Sequence, residues 1–228
     1  MMLLYVVSES DSDAHFYAEC VRKLTGIELE FWPLKNRKGD GVVAVTKQFR
    51  NALLMATAAA GSSQPVGFLA AMDNDRAPHP ENVSLDRTRL FAEERDSENR
   101  PEWMEATVEN VLGQNRYAWP LPVALAAPVE MVEAWIVRAR RETPPQPMAH
   151  FSWSDSASAR HYYPRSTPPP QWKDLAAAVQ SGTGLRDKIA FYTKVVAELD
   201  ADALAARSLS FQMFKRWLDA WPRAATLS

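Results

Sequence analysis

Cysteine is almost absent from this chain: Cys20 is the single one among 228 residues, so no internal disulfide can form. Cys20 lies among apolar residues at helical spacing, which predicts a buried structural thiol rather than a nucleophile. We therefore expect a protein that folds in a reducing compartment. The chain is long enough to bury a core without disulfides, either as one large domain or as a domain with an appendage.

Long uncharged hydrophobic runs are also missing. No run approaches the roughly 20 apolar residues that a membrane-spanning helix needs. The first seven residues, MMLLYVV, carry no basic leader and are too short to span a bilayer. We expect a soluble cytoplasmic protein with no membrane partner.

The sequence lacks a strong net charge and several common catalytic motifs. Its formal net charge is -2 and its pI is near 6.1, so any contact with nucleic acid has to be local. No Walker A segment is present, and an ATPase would therefore have to be a separate partner. The four histidines have neither metal-ligand spacing nor a Gly-x-Ser-x-Gly companion, which disfavours a zinc or serine hydrolase.

Residues 65–76, PVGFLAAMDNDR, join an apolar run to two carboxylates. An uncharged run of this length predicts a strand buried on both faces, and Asp73 and Asp75 follow where it ends. Open α/β sheets often bind ligands at that edge. If the chain is still extended there, both side chains point the same way and offer hard oxygen ligands to one Mg²⁺ or Mn²⁺. The alternative is an ordinary turn in which the aspartates bond to nearby backbone amides.

Another carboxylate follows the first predicted strand, residues 3–7. Apolar residues then recur at helical spacing, and the serines and aspartates at 10–13 are candidates for capping that helix. Capping and the helix dipole explain Asp11 and Asp13 better than metal binding does. Glu9 lies where the strand ends. It would meet the aspartate pair of the other strand if the two strands are parallel neighbours.

The remaining pattern predicts an α/β order with an irregular insertion over residues 77–100. Further strands are expected at 27–34, 66–72 and 121–127, and helices at 42–60, 101–112 and directly after Pro128. In the last of these helices, Glu130 and Glu133 lie on one face near the N-terminus, where the helix dipole favours both. Glu133, one turn in, is also placed to reach the same edge of the sheet.

Basic residues near these strand ends are candidates for holding phosphates, although a solvated loop is the default interpretation. They are Lys35, Arg37, Lys38 and Arg76, with Arg138, Arg140 and Arg141 further along the chain. None of these groups is a specific signal by itself.

The composition changes after residue 141. Seven of the sixteen prolines lie between 142 and 170, which predicts an extended connection rather than a packed element. Beyond it, apolar stripes at helical spacing run over 185–199 and 204–221, preceded by a short helix at 172–180. We therefore predict an α/β domain over 1–141, a proline-rich segment over 142–171 and a helical region over 172–228 that packs on the domain.

The order of these motifs resembles the TOPRIM domain. Residues 7–13, VSESDSD, resemble the family's hydrophobic-Glu-Gly-x-Ser/Thr-Asp segment. Residues 72–75, MDND, resemble its Asp-x-Asp. A strand ending in glutamate, then a helix, then an apolar strand ending in Asp-x-Asp is the pattern of that superfamily.

The rest of the chain resembles an uncharacterised bacterial branch of the superfamily near the OLD-type nucleases. The similarity includes the Glu-Ala-Trp at 133–135, Tyr-Thr-Lys at 192–194 and Ser-Phe at 210–211. It covers most of the chain and is weakest over 78–100 and 142–170. Order and spacing carry the resemblance, because each motif is short.

The resemblance implies a compact, mostly parallel four-stranded sheet flanked by helices, with Mg²⁺ or Mn²⁺ held by Asp73 and Asp75. Glu9 would be a further ligand or the general acid/base, and Glu133 a ligand of a second ion. Two such cations activate water and stabilise the leaving oxygen of a phosphodiester. The family usually has glycine after its glutamate, whereas this chain has Ser10. The substitution predicts a different backbone turn and a different orientation of the Glu9 side chain.

Two functions follow as hypotheses. The first is a metal-dependent nuclease acting on DNA or RNA, which the resemblance places in bacterial defence against phage or plasmids, beside an ATPase partner encoded nearby. The second is a catalytically inactive TOPRIM-fold subunit that binds or regulates within an ATPase-containing complex. Ser10 and the mild net charge favour the second, and oligomer formation is left open.

Overall fold

The computed structural model of the chain describes residues 1–33, 41–72, 100–128, 135, 185–206 and 209–222. The described strands are β1 (Met2–Val7), β2 (Leu29–Pro33), β3 (Val66–Ala71) and β4 (Val123–Ala126). The helices are α1 (Asp11–Thr25), α2 (Gly41–Ala59), α3 (Arg100–Leu112), α4 (Leu185–Glu198), α5 (Ala201–Ala205) and α6 (Leu209–Asp219). A short 3₁₀ turn, Arg116–Ala118, precedes β4.

The four strands form one parallel sheet in the order β2-β1-β3-β4. This confirms the predicted α/β class and its four strands. The chain passes from β1 to β2 on one side of β1, and then to β3 on the other side of β1. The direction in which successive strands are added therefore changes between β1 and β3. Right-handed crossovers running in opposite directions place α1 and α2 on opposite faces of the sheet.

The sheet is covered on both faces, which explains why its central strands carry no charge. All six residues of β3, VGFLAA, are buried. On one side α2 contacts β1, β3 and α3; α6 contacts β4 and α1, and α4 packs along α1. Within the described ranges, no helix is both long and apolar enough to cross a bilayer.

Helix α1 begins within the run of serines and aspartates that was predicted to cap it. Ser10 is its N-cap, and the Ser10 side chain accepts a hydrogen bond from the Asp13 amide at 3.2 Å. Gly26 closes the helix at φ 72°, where its N–H donates to Arg22 O at 2.9 Å. Cys20 on this helix is fully buried, and burial raises the pKa of its thiol. The prediction of a buried thiol is therefore confirmed.

The described C-terminal helices share one hydrophobic core with the sheet. Tyr192 of α4 packs edge-on against Phe16 of α1 at 5.4 Å between ring centroids. Trp221, just beyond α6, donates its indole N–H to Val123 O of β4 at 2.9 Å. Helices were predicted here and are confirmed. The boundary at 142–171 and the helix at 172–180 lie outside the described residues, so the division into domains stays a prediction.

Gly67 in β3 is the point where the C-terminal region comes closest to the sheet. A Cβ built on Gly67 would lie 3.0 Å from Trp221 Cη2 and 3.1 Å from Met2 Sδ. The methionine can move, but the indole is held by its hydrogen bond to Val123 O. Glycine at this position leaves room for the Cη2 and Cζ3 edge of the Trp221 ring beside the strand.

We expect Gly67→Ala to lower the free energy of unfolding by about 1–3 kcal/mol, because the added methyl overpacks the contact with Trp221. Urea unfolding followed by circular dichroism measures the change. Gly61→Ala is the matched control, since the nearest atom to a Cβ there is Ala58 O at 3.7 Å. Equal stability of the two variants would show that the Trp221 ring does not constrain Gly67.

Candidate metal centre at the carboxyl edge of the sheet

The carboxyl ends of β1, β3 and β4 lie at one edge of the sheet. In the pairing register, Val7 of β1 is opposite Ala70 of β3, and Ala71 of β3 is opposite Ala126 of β4. The strands are parallel, so the chain leaves all three at this edge. The sequence analysis required β1 and β3 to be parallel neighbours, and this is confirmed.

Glu9 lies at this edge, two residues beyond the end of β1, and is partly exposed. The pairing of β1 with β3 ends at Val7 and Ala70, so Glu9 follows this last pair by two residues, as Met72 does on β3. The Met72 amide donates to Ala126 O at 3.0 Å, so the pairing of β3 with β4 extends to Met72. The next residue in the sequence is Asp73. The carboxylate that follows β1 and the carboxyl end of β3 therefore lie at one edge of the sheet.

Three serines close to Glu9 in the sequence, Ser8, Ser10 and Ser12, form hydrogen bonds where β1 leads into α1. Ser8 Oγ donates to Ser10 O at 2.7 Å, and the Oγ atoms of Ser10 and Ser12 are 2.8 Å apart. Ser10 has φ -143° and ψ 160°, an extended conformation that any residue adopts. The described backbone therefore needs no glycine after Glu9. The expectation of an altered turn at Ser10 gains no support from the backbone angles.

Most of the other predicted site residues lie outside the described residues. These are Asp73, Asp75, Glu133, Lys35, Arg37, Lys38, Arg76, Arg138, Arg140 and Arg141. Glu9 is the member of the predicted ligand set that the structure describes. In the described ranges, no group of three or more His, Cys, Asp or Glu side chains is arranged to hold a metal ion. The gathering of the four carboxylates stays a prediction.

Trp135, two residues after Glu133 in the sequence, is described by the structure. Its side chain is fully buried, and its indole N–H donates to Ser210 Oγ at 2.7 Å. Its ring packs edge-on against Tyr17 of α1 at 5.8 Å and against Phe211 of α6 at 5.0 Å. Helix α1 begins two residues after Glu9. Trp135, the last residue of the Glu-Ala-Trp motif, therefore packs on the helix that follows Glu9.

The pairing of Trp135 with Ser210 was not predicted from the sequence. The aromatic residues of the predicted C-terminal stripes, Tyr192, Phe211, Phe214 and Trp221, are buried. The sequence contains one signal for this hydrogen bond, which is Ser210 among large apolar residues on a helix face. A buried hydroxyl needs a polar partner, so a polar group elsewhere in the chain had to be expected there. Nothing in the local pattern identifies that partner as an indole 75 residues away.

Comparison of the chain with protein-family models, with curated proteins and with solved structures finds no match. Among the described residues, the feature that bears most on function is the edge of the sheet shared by β1 and β3.

Proposed function

We propose that this protein is a divalent-metal-dependent nuclease with a TOPRIM-like fold that hydrolyses phosphodiester bonds in DNA or RNA. The observation that supports the proposal most is the parallel adjacency of β1 and β3, with Glu9 at the edge where β3 leads into Asp73. In open α/β sheets, ligands bind outside the carboxyl ends of strands at the point where the topology switches. In this sheet that point lies between β1 and β3.

The proposed ligands are Glu9, Asp73 and Asp75, with Glu133 contributing to a second ion. Carboxylate oxygens are the donors that Mg²⁺ and Mn²⁺ prefer. When bound, such ions activate water and neutralise charge on a phosphodiester. The partly exposed Glu9 suits this role, because a carboxylate at an open edge can contact both an ion and a large substrate. The serine-capped loop holds the backbone on either side of Glu9.

The proposed biological role is that of an effector in bacterial defence against phage or plasmids, working beside an ATPase encoded nearby. This role rests on the resemblance of the Glu-Ala-Trp, Tyr-Thr-Lys and Ser-Phe motifs. Two of these motifs supply side chains to one aromatic cluster, where Trp135 contacts Ser210 and Phe211. Their joint packing supports the view that they belong to one structural unit.

A second candidate function is a catalytically inactive subunit that binds a partner protein. The observation in its favour is Trp32, which is 60% exposed on β2, an edge strand of the described sheet. An edge strand also presents unpaired backbone groups with which another chain can pair. This candidate keeps the fold and needs no metal.

Cleavage assays on the full chain separate the two candidates. We expect labelled single- or double-stranded DNA or RNA to be cut with Mg²⁺ or Mn²⁺ and to stay intact with a chelator. Asp73→Ala should lower the rate at least about 100-fold, a loss of about 2.7 kcal/mol of transition-state stabilisation. Asp202→Ala is the matched control, because the Asp202 side chain is 90% exposed on α5.

Two results would contradict the nuclease proposal. Cleavage that persists in Asp73→Ala would come from a contaminant or from another site. Absence of cleavage under every metal condition, with the neighbouring ATPase added, would favour the binding subunit.

A further inference from the structure

The two edge strands of the described sheet differ in how their outer sides are covered. At β4, helix α6 packs on the strand, and the Trp221 indole N–H donates to Val123 O at 2.9 Å. At β2, the main contacts are with β1 and α1, and the Trp32 side chain is 60% exposed. The outer side of β2 is therefore the edge at which another strand can be added.

The backbone groups of β2 point alternately toward β1 and away from it. Met2 N–H donates to Glu28 O at 2.8 Å, which fixes the residues of β2 that bond to β1. In a parallel ladder, every second residue directs both of its backbone groups to the same neighbour. The residues whose N–H and C=O groups lie on the outer side of β2 are Leu29, Phe31 and Pro33.

The outer side of β2 is closed at one backbone group near each end. Leu29 O accepts a hydrogen bond from Arg22 Nη2 of α1 at 3.3 Å, and Arg22 is held there by its ion pair with Glu19. Pro33 has no backbone N–H. Within the described ranges, the outer groups without a hydrogen-bond partner are Leu29 N–H, Phe31 N–H, Phe31 O and Pro33 O. The edge thus offers two donors and two acceptors in a fixed order.

We propose that two copies of this chain associate through β2, with the two strands antiparallel about a two-fold axis at Phe31. Phe31 then exchanges both backbone hydrogen bonds with Phe31 of the second copy, and Leu29 N–H donates to Pro33 O of the second copy. The N–H that Pro33 lacks faces Leu29 O, which Arg22 already satisfies. Every outer backbone group of both strands is satisfied in this pairing.

The neighbouring registers are less favourable. With Phe31 opposite itself, Glu30 lies opposite Trp32 of the second copy, so no like charges face each other. A shift of two residues in one direction places the two Glu30 carboxylates directly opposite each other, which is destabilising. A shift of two residues in the other direction leaves Phe31 O facing Pro33, which cannot donate a hydrogen bond. The side chains and the backbone therefore select the same register.

The pairing is closed, because a two-fold contact uses the same surface of both copies. It joins two four-stranded sheets into one sheet of eight strands. Glu9 stays accessible in each copy, since it follows the carboxyl end of β1 and not the outer side of β2. The inference therefore does not depend on the proposed nuclease activity.

Sedimentation velocity of the full chain over a range of concentrations tests the pairing. We expect a reversible equilibrium between monomer and dimer with a dissociation constant on the order of 1–100 μM, because one strand pair forms a small interface. Trp32→Glu places a second carboxylate opposite Glu30 of the other copy and should raise this constant about tenfold or more. Met55→Glu is the matched control, since Met55 is 53% exposed on α2, and should change the constant less than about twofold.

A compensating variant tests the register itself. Adding Glu30→Lys to Trp32→Glu places opposite charges across the contact and should restore the dissociation constant to within about threefold of that of the unmodified chain. Hydrogen exchange provides a measurement that needs no variant. The amides of Leu29 and Phe31 should exchange more slowly as the protein concentration rises, whereas the exchange of the Tyr117 amide, in the turn before β4, should stay constant.

Three results would overturn the inference. The first is a chain that stays monomeric up to several hundred μM, well above the expected dissociation constant. The second is a dimer that Trp32→Glu leaves unchanged, or whose formation does not slow exchange at Leu29 and Phe31. The third is a double variant that dimerises no better than Trp32→Glu alone, which would refute the register centred on Phe31.

Discussion

Replacing Trp135 by alanine is expected to lower the free energy of unfolding by about 3–5 kcal/mol. The indole is fully buried and packs against aromatic rings of both α1 and α6. Its removal leaves a cavity between the two helices and also breaks the hydrogen bond to Ser210. Urea unfolding followed by both circular dichroism and tryptophan fluorescence measures the loss.

Two further variants separate the hydrogen bond from the packing. Ser210→Ala leaves the buried indole N–H without its acceptor and should cost about 1–3 kcal/mol. Trp135→Phe keeps most of the ring packing, and the double variant measures the coupling between the two residues. Trp32→Ala is the control, because that ring is 60% exposed and should shift the urea midpoint little. A midpoint for Trp135→Ala equal to that of the control would refute the burial of this indole.

Replacing Glu9 by glutamine should lower metal-dependent cleavage about 100-fold or more while leaving the unfolding curve close to that of the unmodified chain. The amide has nearly the size of the carboxylate but lacks the charge that a hard cation requires. The partly exposed position of Glu9 makes a large effect on folding unexpected. Steady-state cleavage rates over a series of Mg²⁺ concentrations provide the measurement.

Glu30→Gln on β2 is the matched control for Glu9→Gln, because Glu30 is exposed and away from the carboxyl ends of β1 and β3. If Glu9 is a metal ligand, raising the Mg²⁺ concentration should restore part of the lost rate. Full activity of Glu9→Gln together with inactivity of Asp73→Ala would show that Glu9 is not a metal ligand. The aspartate pair would then remain as the proposed ligands. Full activity of both variants would refute the proposed metal centre.

The local elements of this protein were predictable from the sequence because each is encoded by a pattern within a few residues. The uncharged run of β3 matches burial on both faces, and helix α1 combines apolar spacing with Ser10 at one end and Gly26 at the other. For the candidate site, the sequence predicted the position of Glu9 beyond β1, and the gathering of the four carboxylates stays a prediction. Carboxylates after strands mark an edge, and parallel strands place their carboxyl ends together.

The sequence by itself determined the four strands, helices α1 to α4 and the position of Glu9 just beyond β1, whereas the single apolar stripe predicted over 204–221 is divided between α5 and α6. The tertiary structure alone decided that β1 is the neighbour of β3 and that Trp135 bonds to Ser210. It also brought Arg116 onto the ring of Trp217, about a hundred residues later in the chain. The physical reason is that periodicity specifies which face of an element is buried, whereas partners distant in sequence are selected by packing of the whole core.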